Sequence, residues 1–217
     1  MQKLILVSAT AAEIEPTLNY LEGQNSFKWN TFLLEKVQIT VCICGVGMYH
    51  TAFELGKFKG EHYDLAINAG LAGSFGLFAK GEVVNVISDC FSELGAEDGS
   101  DFLSMDDLGF GKQHTKIVKP ADLRALRDLP ETTGITVNTV HGNERSIEKV
   151  KKRYAAGVET MEGAAFTEAT NTLGWKAIQL RAISNLVEKR NRSNWNIPLA
   201  VKNLNEVLIT IINELNA

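Results

Sequence analysis

Carboxylate, amide and guanidinium side chains recur where apolar runs of this 217-residue chain end. Glu13 follows the run at 3–8, and Asn185 follows the run at 177–183, four residues after Arg181. Carboxylates in such places can act as general bases or bind hydroxyl groups. Further segments with the same placement are rich in glycine or acid: Gly45-Val46-Gly47, NAGLAGS at 68–74 and VETMEG at 158–163.

Each of these segments also has a purely structural interpretation. Glu13 stands three residues after Thr10, which is the spacing of a helix capping box. Glu162 begins an apolar helix, where a carboxylate is stabilised by the helix dipole. Asn185 could cap the turn after its strand. The residues alone therefore leave both interpretations open.

Covalent, metal-dependent and dinucleotide chemistry are not indicated. The chain has no G-x-S-x-G segment, and its four histidines have neither HExxH nor HxH spacing. Its three cysteines are interpreted as buried free thiols. The G-V-G segment is only half of a dinucleotide fingerprint, because the third glycine is missing. No metal and no organic cofactor is predicted.

The candidate residues must be held by alternating strands and helices. Apolar runs predict strands at 3–8, 29–44 (as a hairpin pair), 64–70, 82–89, 135–140 and 176–184, with a brief GVE strand at 157–159. Helical patterns cover 10–23, 49–58, 121–129, 146–154, 161–173 and 197–215, and a Gly- and Asp-rich excursion covers 92–113. This alternation predicts an α/β fold, a three-layer αβα sandwich with a twisted, mostly parallel central sheet. Ligands of such sheets bind at the carboxyl ends of the strands.

Composition predicts one domain over residues 1–217 and a small-molecule partner. The chain is 45% hydrophobic and 22% charged, with a net charge of −4 and no block of like charges. That balance argues against nucleic acid or a membrane surface as partner. Because no segment approaches the roughly 20 apolar residues of a membrane span and no signal peptide is evident, we expect a cytoplasmic protein.

Taken in order, the segments resemble the nucleoside phosphorylase and nucleosidase superfamily. G-V-G stands where that family has GxG, NAGLAG where it has NTGxxG, VETMEG where it has a VEMEA-like segment, and RAISN where it has RAISD. Within the superfamily the chain most resembles the futalosine hydrolase family, through LGAEDGSDFLSMDDLGFG, TVNTVHGNE, VETMEGAAF and RAISNLVEKRNRSNWNIPLA. The neighbouring family is methylthioadenosine/S-adenosylhomocysteine nucleosidase. The resemblance implies a nucleoside phosphorylase-like fold with a partly barrel-like sheet, and a homo-oligomer, with a dimer favoured.

Site roles follow from the resemblance position by position. Glu13 would orient the attacking water with Arg181 beside it, Glu162 would bind the ribose hydroxyls, and Asn185 would face N7 of the purine. The remaining substrate-binding positions are Met161 against the sugar, Ala72 and Gly73 beside the base, and Gly47. Two departures are visible: Leu71 replaces a serine of the family's nucleosidases, and no base-stacking phenylalanine occurs at 141–146. Glu159 competes with Glu162 for the ribose role, and alignment on Met-Glu favours Glu162.

The implied reaction is hydrolysis of futalosine to hypoxanthine and dehypoxanthinylfutalosine, in the futalosine pathway of menaquinone biosynthesis. The first arginine is Arg124, so the N-terminal half lacks the guanidinium groups that would hold phosphate. Asn185 replaces the Asp of adenine-specific relatives, and an amide suits a 6-oxopurine. We also expect the 92–113 excursion to line the pocket for the substrate tail, and Lys112 or His114 to meet the carboxylate of that tail. The alternatives are a methylthioadenosine-, aminofutalosine- or inosine-type nucleosidase, and a non-catalytic purine-binding protein.

Overall fold

A single mixed sheet organises the chain. The structure is a computed structural model that describes residues 1–23, 26–28, 30–119 and 121–217. Its strands are β1 (Gln2–Ser8), β2 (Ser26–Lys28), β3 (Thr31–Leu33), β4 (Val37–Ile43), β5 (Leu65–Ser74), β6 (Val83–Cys90), β7 (Gly95–Asp98), β8 (Asp101–Ser104), β9 (His114–Lys116), β10 (Glu131–Thr136), β11 (Val158–Thr160) and β12 (Ala177–Leu186). Its α-helices are α1 (Glu15–Glu22), α2 (Met48–Gly56), α3 (Glu144–Arg153), α4 (Gly163–Leu173) and α5 (Ile197–Asn216).

The sheet closes on itself. Its order is β11-β10-β6-β12-β5-β1-β4-β3-β2, with β9 beside β6, and β11 also pairs with β5. That last pairing is antiparallel and joins Val158 to Ser74 and Glu159 to Gly73. Strands β5, β12, β6, β10 and β11 therefore form a ring. Long strands accumulate twist, and β5 and β12, at ten residues each, are long enough for the end of β5 to reach β11.

The predicted α/β class is confirmed, but the sheet is not the mostly parallel layer of a simple sandwich. Among the described strands of this sheet, five pairings are parallel and five are antiparallel. The antiparallel pairings come from the ring closure, from β6 beside β12 and β9, and from the β2-β3-β4 meander. The ring closure was missed because β5 runs on to Ser74, where the sequence predicts a strand that ends at Gly70.

Strand β1 is buried on both faces, as a central strand of an α/β sheet should be. Leu4 and Leu6 join the apolar core that includes side chains of α1 and α5. Ile5 and Val7 join the second core, which includes Phe166 of α4. The two helix layers thereby fix β1, and the turn that carries Glu13 follows directly from its end.

Several element boundaries differ from the predictions. The segment 121–129 holds only a short 3-10 turn, Arg124–Leu126, and the strand predicted at 135–140 lies earlier, at Glu131–Thr136. The 92–113 excursion contains the β7-β8 hairpin. The hairpin predicted at 29–44 is present as β3 and β4, although its first residue, Trp29, lies outside the described residues. In the described part of the chain, no helix is both long and apolar enough to cross a membrane.

All three cysteines are buried free thiols, as predicted. Burial raises the pKa of Cys42 to about 12 and the pKa of Cys90 to about 11. Burial also raises the pKa of Cys44. Because the thiolate is the nucleophile, none of these side chains is suited to covalent catalysis.

Candidate active site

A cavity of about 370 Å³ opens where β1, β5 and β12 end. This volume is within the range of small-ligand sites. Six of the eight predicted site residues line it, namely Glu13, Ala72, Gly73, Met161, Glu162 and Asn185. The other two, Arg181 and Gly47, are bound to Glu162 from outside the cavity lining. The structure therefore brings the predicted residues into one place.

Glu13 is held by both of its carboxylate oxygens. Its Oε2 accepts from the Thr10 N–H at 3.0 Å and from Thr10 Oγ1 at 2.9 Å, which is the capping interaction that the spacing predicts. Its Oε1 accepts from the N–H of Leu71, on β5, at 3.0 Å. The capping role and the site role are thus compatible, because the cap orients a carboxylate that also lines the cavity.

Arg181 lies on β12 and is only 1% exposed. Its Nη2 donates to Asn68 Oδ1 and lies 4.0 Å from Glu162 Oε2. The guanidinium occupies the space that a side chain at Gly70 would fill. A Cβ at Gly70 would lie 2.3 Å from Arg181 Nη1 and 3.1 Å from Glu13 Oε1. Because Gly70 has no side chain, the guanidinium of Arg181 can approach the backbone of β5 at this residue.

Glu162 stands at the N-cap position of α4 and is 6% exposed. Its Oε1 accepts from the N–H of Gly47 at 3.0 Å. Gly47 has φ 104°, a left-handed conformation that favours glycine. The glycine of the G-V-G segment thus aims its amide at a carboxylate of the site, so its role is to orient Glu162.

The start of α4 is fixed by a buried polar network that the sequence did not indicate. Thr136 Oγ1 donates to Asp89 at 2.8 Å and accepts from the Ala164 N–H at 2.7 Å. Thr160 Oγ1 accepts from the Gly163 N–H at 3.2 Å. Desolvation raises the pKa of Asp89, against the effect of its hydrogen bonds. The network ties β6 and β10 to the first turn of α4, immediately after Glu162.

Asn185 faces Gly73 because β12 contains a bulge. Ile183 pairs with Ala72 and Asn185 with Gly73, so Ser184 is the extra residue. Bulges re-aim side chains beside binding sites. Asn185 Nδ2 donates to the Leu186 carbonyl at 2.8 Å, and its Oδ1 accepts from Ser184 Oγ at 2.7 Å. One amide hydrogen and one lone pair of Asn185 remain for a ligand.

The cavity also has lining residues outside the predicted set: Glu159 on β11, and Val140 and Trp195 in loops. Glu159 had been considered as the competitor of Glu162, whereas the two loop residues carry no periodic signal and were not predicted. The 92–113 excursion contributes no residue to the lining of this cavity. Neither Lys112 nor His114, which we expected to meet the substrate tail, lines this cavity within one chain.

The sequence pattern of the Phosphorylase superfamily matches residues 3–213 of this chain. The chain belongs to the phosphorylase superfamily. Among superfamily relatives, a futalosine hydrolase of Acidothermus cellulolyticus is 29% identical over 212 residues, 93% of this chain and 87% of the relative. A futalosine hydrolase of Streptomyces coelicolor is 34% identical over 157 residues, 69% of this chain and 65% of the relative.

Solved structures of the phosphorylase superfamily share the fold. The native futalosine hydrolase of Helicobacter pylori superposes with a TM-score of 0.81 at 17% identity, covering 98% of both chains. The 5′-methylthioadenosine nucleosidase of Arabidopsis thaliana also gives 0.81 at 19% identity, covering 100% of this chain and 97% of the other. At these identities the likeness establishes the fold, and the chemistry must be argued from the residues of this cavity.

The contact between Gly70 and the guanidinium leads to a stability prediction. Gly70 does not have a positive φ, so Gly70→Ala tests crowding alone. We expect the free energy of unfolding in urea to fall by about 1–3 kcal/mol, as is usual for overpacking.

The matched control is Gly56→Ala, because a Cβ at Gly56 has no neighbour within 4 Å. Its free energy of unfolding should stay the same or rise by up to about 1 kcal/mol. Equal stability of the two variants would contradict the close approach of Arg181 to Gly70.

Proposed function

We propose that this chain is a futalosine hydrolase, a nucleosidase that cleaves the N-glycosidic bond of futalosine to give hypoxanthine and dehypoxanthinylfutalosine. This reaction belongs to the futalosine pathway of menaquinone biosynthesis. The observation that carries the proposal is that two separately anchored carboxylates, Glu13 and Glu162, share one cavity with Asn185. The names of the relatives in Acidothermus and Streptomyces support the same substrate.

Breaking an N-glycosidic bond develops positive charge on the ribose ring and negative charge on the leaving base. A catalyst must therefore stabilise both charges in the transition state. Glu162 accepts hydrogen bonds from the ribose hydroxyls, and these bonds strengthen as the ring becomes cationic. Gly47 and Arg181 hold this carboxylate before substrate arrives, so little reorganisation is needed. Met161 packs against the sugar.

Glu13 orients the attacking water and accepts its proton. Its Oε2 is occupied by Thr10, and its Oε1 accepts from the Leu71 amide with a lone pair to spare. Arg181, beside Gly70, supplies positive charge close to Oε1 of this carboxylate. The water therefore meets a base whose position is fixed by the turn after β1 and by strand β5.

Water is the nucleophile that this cavity suits. A phosphate dianion is normally held by arginine forks or lysine charges. No lysine or arginine is among the described residues that line the cavity, and Arg181 is already engaged with Asn68 and Glu162. A dianion in the cavity would instead face the two carboxylates. Hydrolysis is thus favoured over phosphorolysis.

Asn185 selects a 6-oxopurine base. Its amide hydrogen that is not bonded to Leu186 can donate to O6 of the base, and its free Oδ1 lone pair can accept from N7–H once the leaving base has taken a proton at N7 from water. Ala72 and Gly73 of β5 line the cavity beside this amide, so a flat ring can lie against them. The leaving hypoxanthine is stabilised as its ring gains negative charge.

The direct test is to incubate the purified protein, without phosphate, with futalosine, aminofutalosine, methylthioadenosine and inosine in parallel. Chromatography should detect hypoxanthine released from futalosine, and little free base from the other three nucleosides. Adenine release as the main reaction would indicate an adenine-type nucleosidase. A requirement for phosphate would indicate a phosphorylase, and no turnover of any nucleoside would favour a binding protein.

Glu13→Gln tests the water-activating base. We expect kcat for futalosine to fall by about 10²–10⁴-fold, the usual contribution of a general base. The control is Glu15→Gln, an exposed acid two residues further along the chain, which should keep full kcat. Full turnover by Glu13→Gln would refute the assigned role and leave the superfamily assignment intact.

Asn185→Asp tests base selection. A carboxylate repels O6 of hypoxanthine and can accept from the 6-amino group of adenine. The ratio of kcat/KM for futalosine to kcat/KM for aminofutalosine should fall by about 10–100-fold, as expected when a site is given the wrong hydrogen-bond pattern. An unchanged ratio would show that this position does not read the base.

We further propose that the protein works as a homo-oligomer, with a dimer favoured. Tyr49 and Phe53 on α2 are 69% and 64% exposed, beside an apolar groove between α2 and α4. Exposed apolar patches of this kind mark association surfaces. Sedimentation at the mass of a single chain would contradict the proposal.

A further inference from the structure

Trp195 connects the cavity to two positively charged side chains. Its side chain lines the cavity together with Ile197 and Val201 of α5. The guanidinium carbons of Arg190 and Arg192 lie 5.2 and 5.9 Å from the centre of the Trp195 ring. Both distances are within the range of cation–π attraction. A ligand group that contacts the indole from the cavity therefore comes close to positive charge, although no described residue of the lining is a lysine or arginine.

The backbone around Trp195 is held on both sides. A 3-10 turn, Arg192–Asn194, precedes it, and the Trp195 N–H donates to the Arg192 carbonyl at 3.2 Å. On the other side, the Asn196 N–H donates to the carbonyl of Ser184, in the bulge of β12, at 2.8 Å. These bonds fix the indole and its flanking residues before a substrate binds, which lowers the cost of ordering them on binding.

Arg190 and Arg192 are exposed, and acidic side chains do not occupy them. Within the described part of the chain, the arginines that form ion pairs are Arg124, Arg127 and Arg181. Glu188, the acid of the same loop, accepts instead from Asn194 Nδ2 at 2.9 Å. The two guanidinium groups beside Trp195 therefore keep N–H donors available for a ligand.

Guanidinium groups beside an aromatic ring suit an aryl carboxylate. A guanidinium offers parallel N–H donors that fit both carboxylate oxygens, and an aryl ring can pack against an indole. Futalosine carries such a group, a carboxyphenyl tail, at the opposite end of the ribose from the base. The cavity itself would repel the tail's charge, because Glu13, Glu159 and Glu162 line it. Arg181 is already engaged with Asn68 and Glu162, so it does not offset this repulsion.

We propose that Arg190 and Arg192 are specificity-determining residues that bind the carboxylate of the substrate's aryl tail beside Trp195. This inference rests on the proposed function, since the tail belongs to futalosine. The two arginines take the role that the sequence suggested for Lys112 or His114, which do not line the cavity. Because the tail lies away from the bond that breaks, its contacts stabilise bound substrate and transition state alike.

The kinetic test combines a change in the protein with a change in the substrate. The double variant Arg190→Gln/Arg192→Gln removes both cations, and the carboxamide of futalosine removes only the charge of the tail. For futalosine, KM of the double variant should rise by about tenfold with kcat unchanged, as expected for charge-assisted hydrogen bonds at an exposed site. The wild-type protein should show the same rise with the carboxamide. For the double variant, KM should be equal for the two substrates.

The matched control is Lys189→Gln, which removes an exposed cation of the same loop that does not lie over Trp195. Its KM should remain about tenfold lower for futalosine than for the carboxamide. An unchanged KM for futalosine in the double variant would overturn the proposal. An equal rise for both substrates would also overturn it, because the arginines would then only support the loop.

Failure of the proposed function would give a different result. A wild-type protein that cleaves neither futalosine nor its carboxamide would refute the proposed hydrolysis. Calorimetric titration with the uncleaved compounds would then decide the role of the arginines. Tighter binding of futalosine than of the carboxamide by the wild type, and not by the double variant, would support the carboxylate site. Equal binding of the two compounds by the wild type would overturn it.

Discussion

The buried guanidinium of Arg181 is the constraint on which the rest of the site depends. An ion removed from water is tolerated only where opposite charge and hydrogen bonds compensate it. Here the compensation comes from Asn68 on β5 and Glu162 at the start of α4, with Glu13 close by across Gly70. The Nε of Arg181 has no partner among the described residues, so compensation is incomplete at that atom. The cation thereby links a strand, a turn and a helix that carry the proposed base and the proposed sugar ligand.

Two local backbone features then orient side chains of the site around the guanidinium. Gly47 uses a positive φ to present its amide to Glu162, and the bulge at Ser184 turns Asn185 toward Gly73. A regular strand or helix would neither point the Gly47 amide at Glu162 nor turn Asn185 toward Gly73. Both features adjoin the proposed site residues in space, since Gly47 donates to Glu162 and Ser184 precedes Asn185, and proteins commonly depart from regular structure at such places.

The sequence supported prediction where a residue's role follows from its place at the end of an apolar run. The places of Glu13 and Asn185 at the cavity could be predicted in this way, because the carboxyl ends of parallel strands meet at one edge of the sheet. The superfamily resemblance implied a partly barrel-like sheet, and the closed ring confirms it. The apolar pattern alone did not predict the closure, since β11 has three residues, too few for a periodic signal, and pairs with a strand more than eighty residues away. The hydrogen bonds between Glu159 and His141 could not be predicted either, because the histidine lies in a loop and its contact depends on tertiary packing.

Strand β5 pairs with three other strands, β1, β12 and β11. Its first half lies between β1 and β12, and its last residues lie between β12 and β11. Amide protons in such a strand exchange with solvent mainly through global unfolding, because no smaller opening frees them. Gly73, which lines the cavity, and Gly70, beside the guanidinium of Arg181, therefore share the stability of the whole domain. A core substitution far from the cavity would lower the population of the competent site by the same factor as it lowers the population of folded protein.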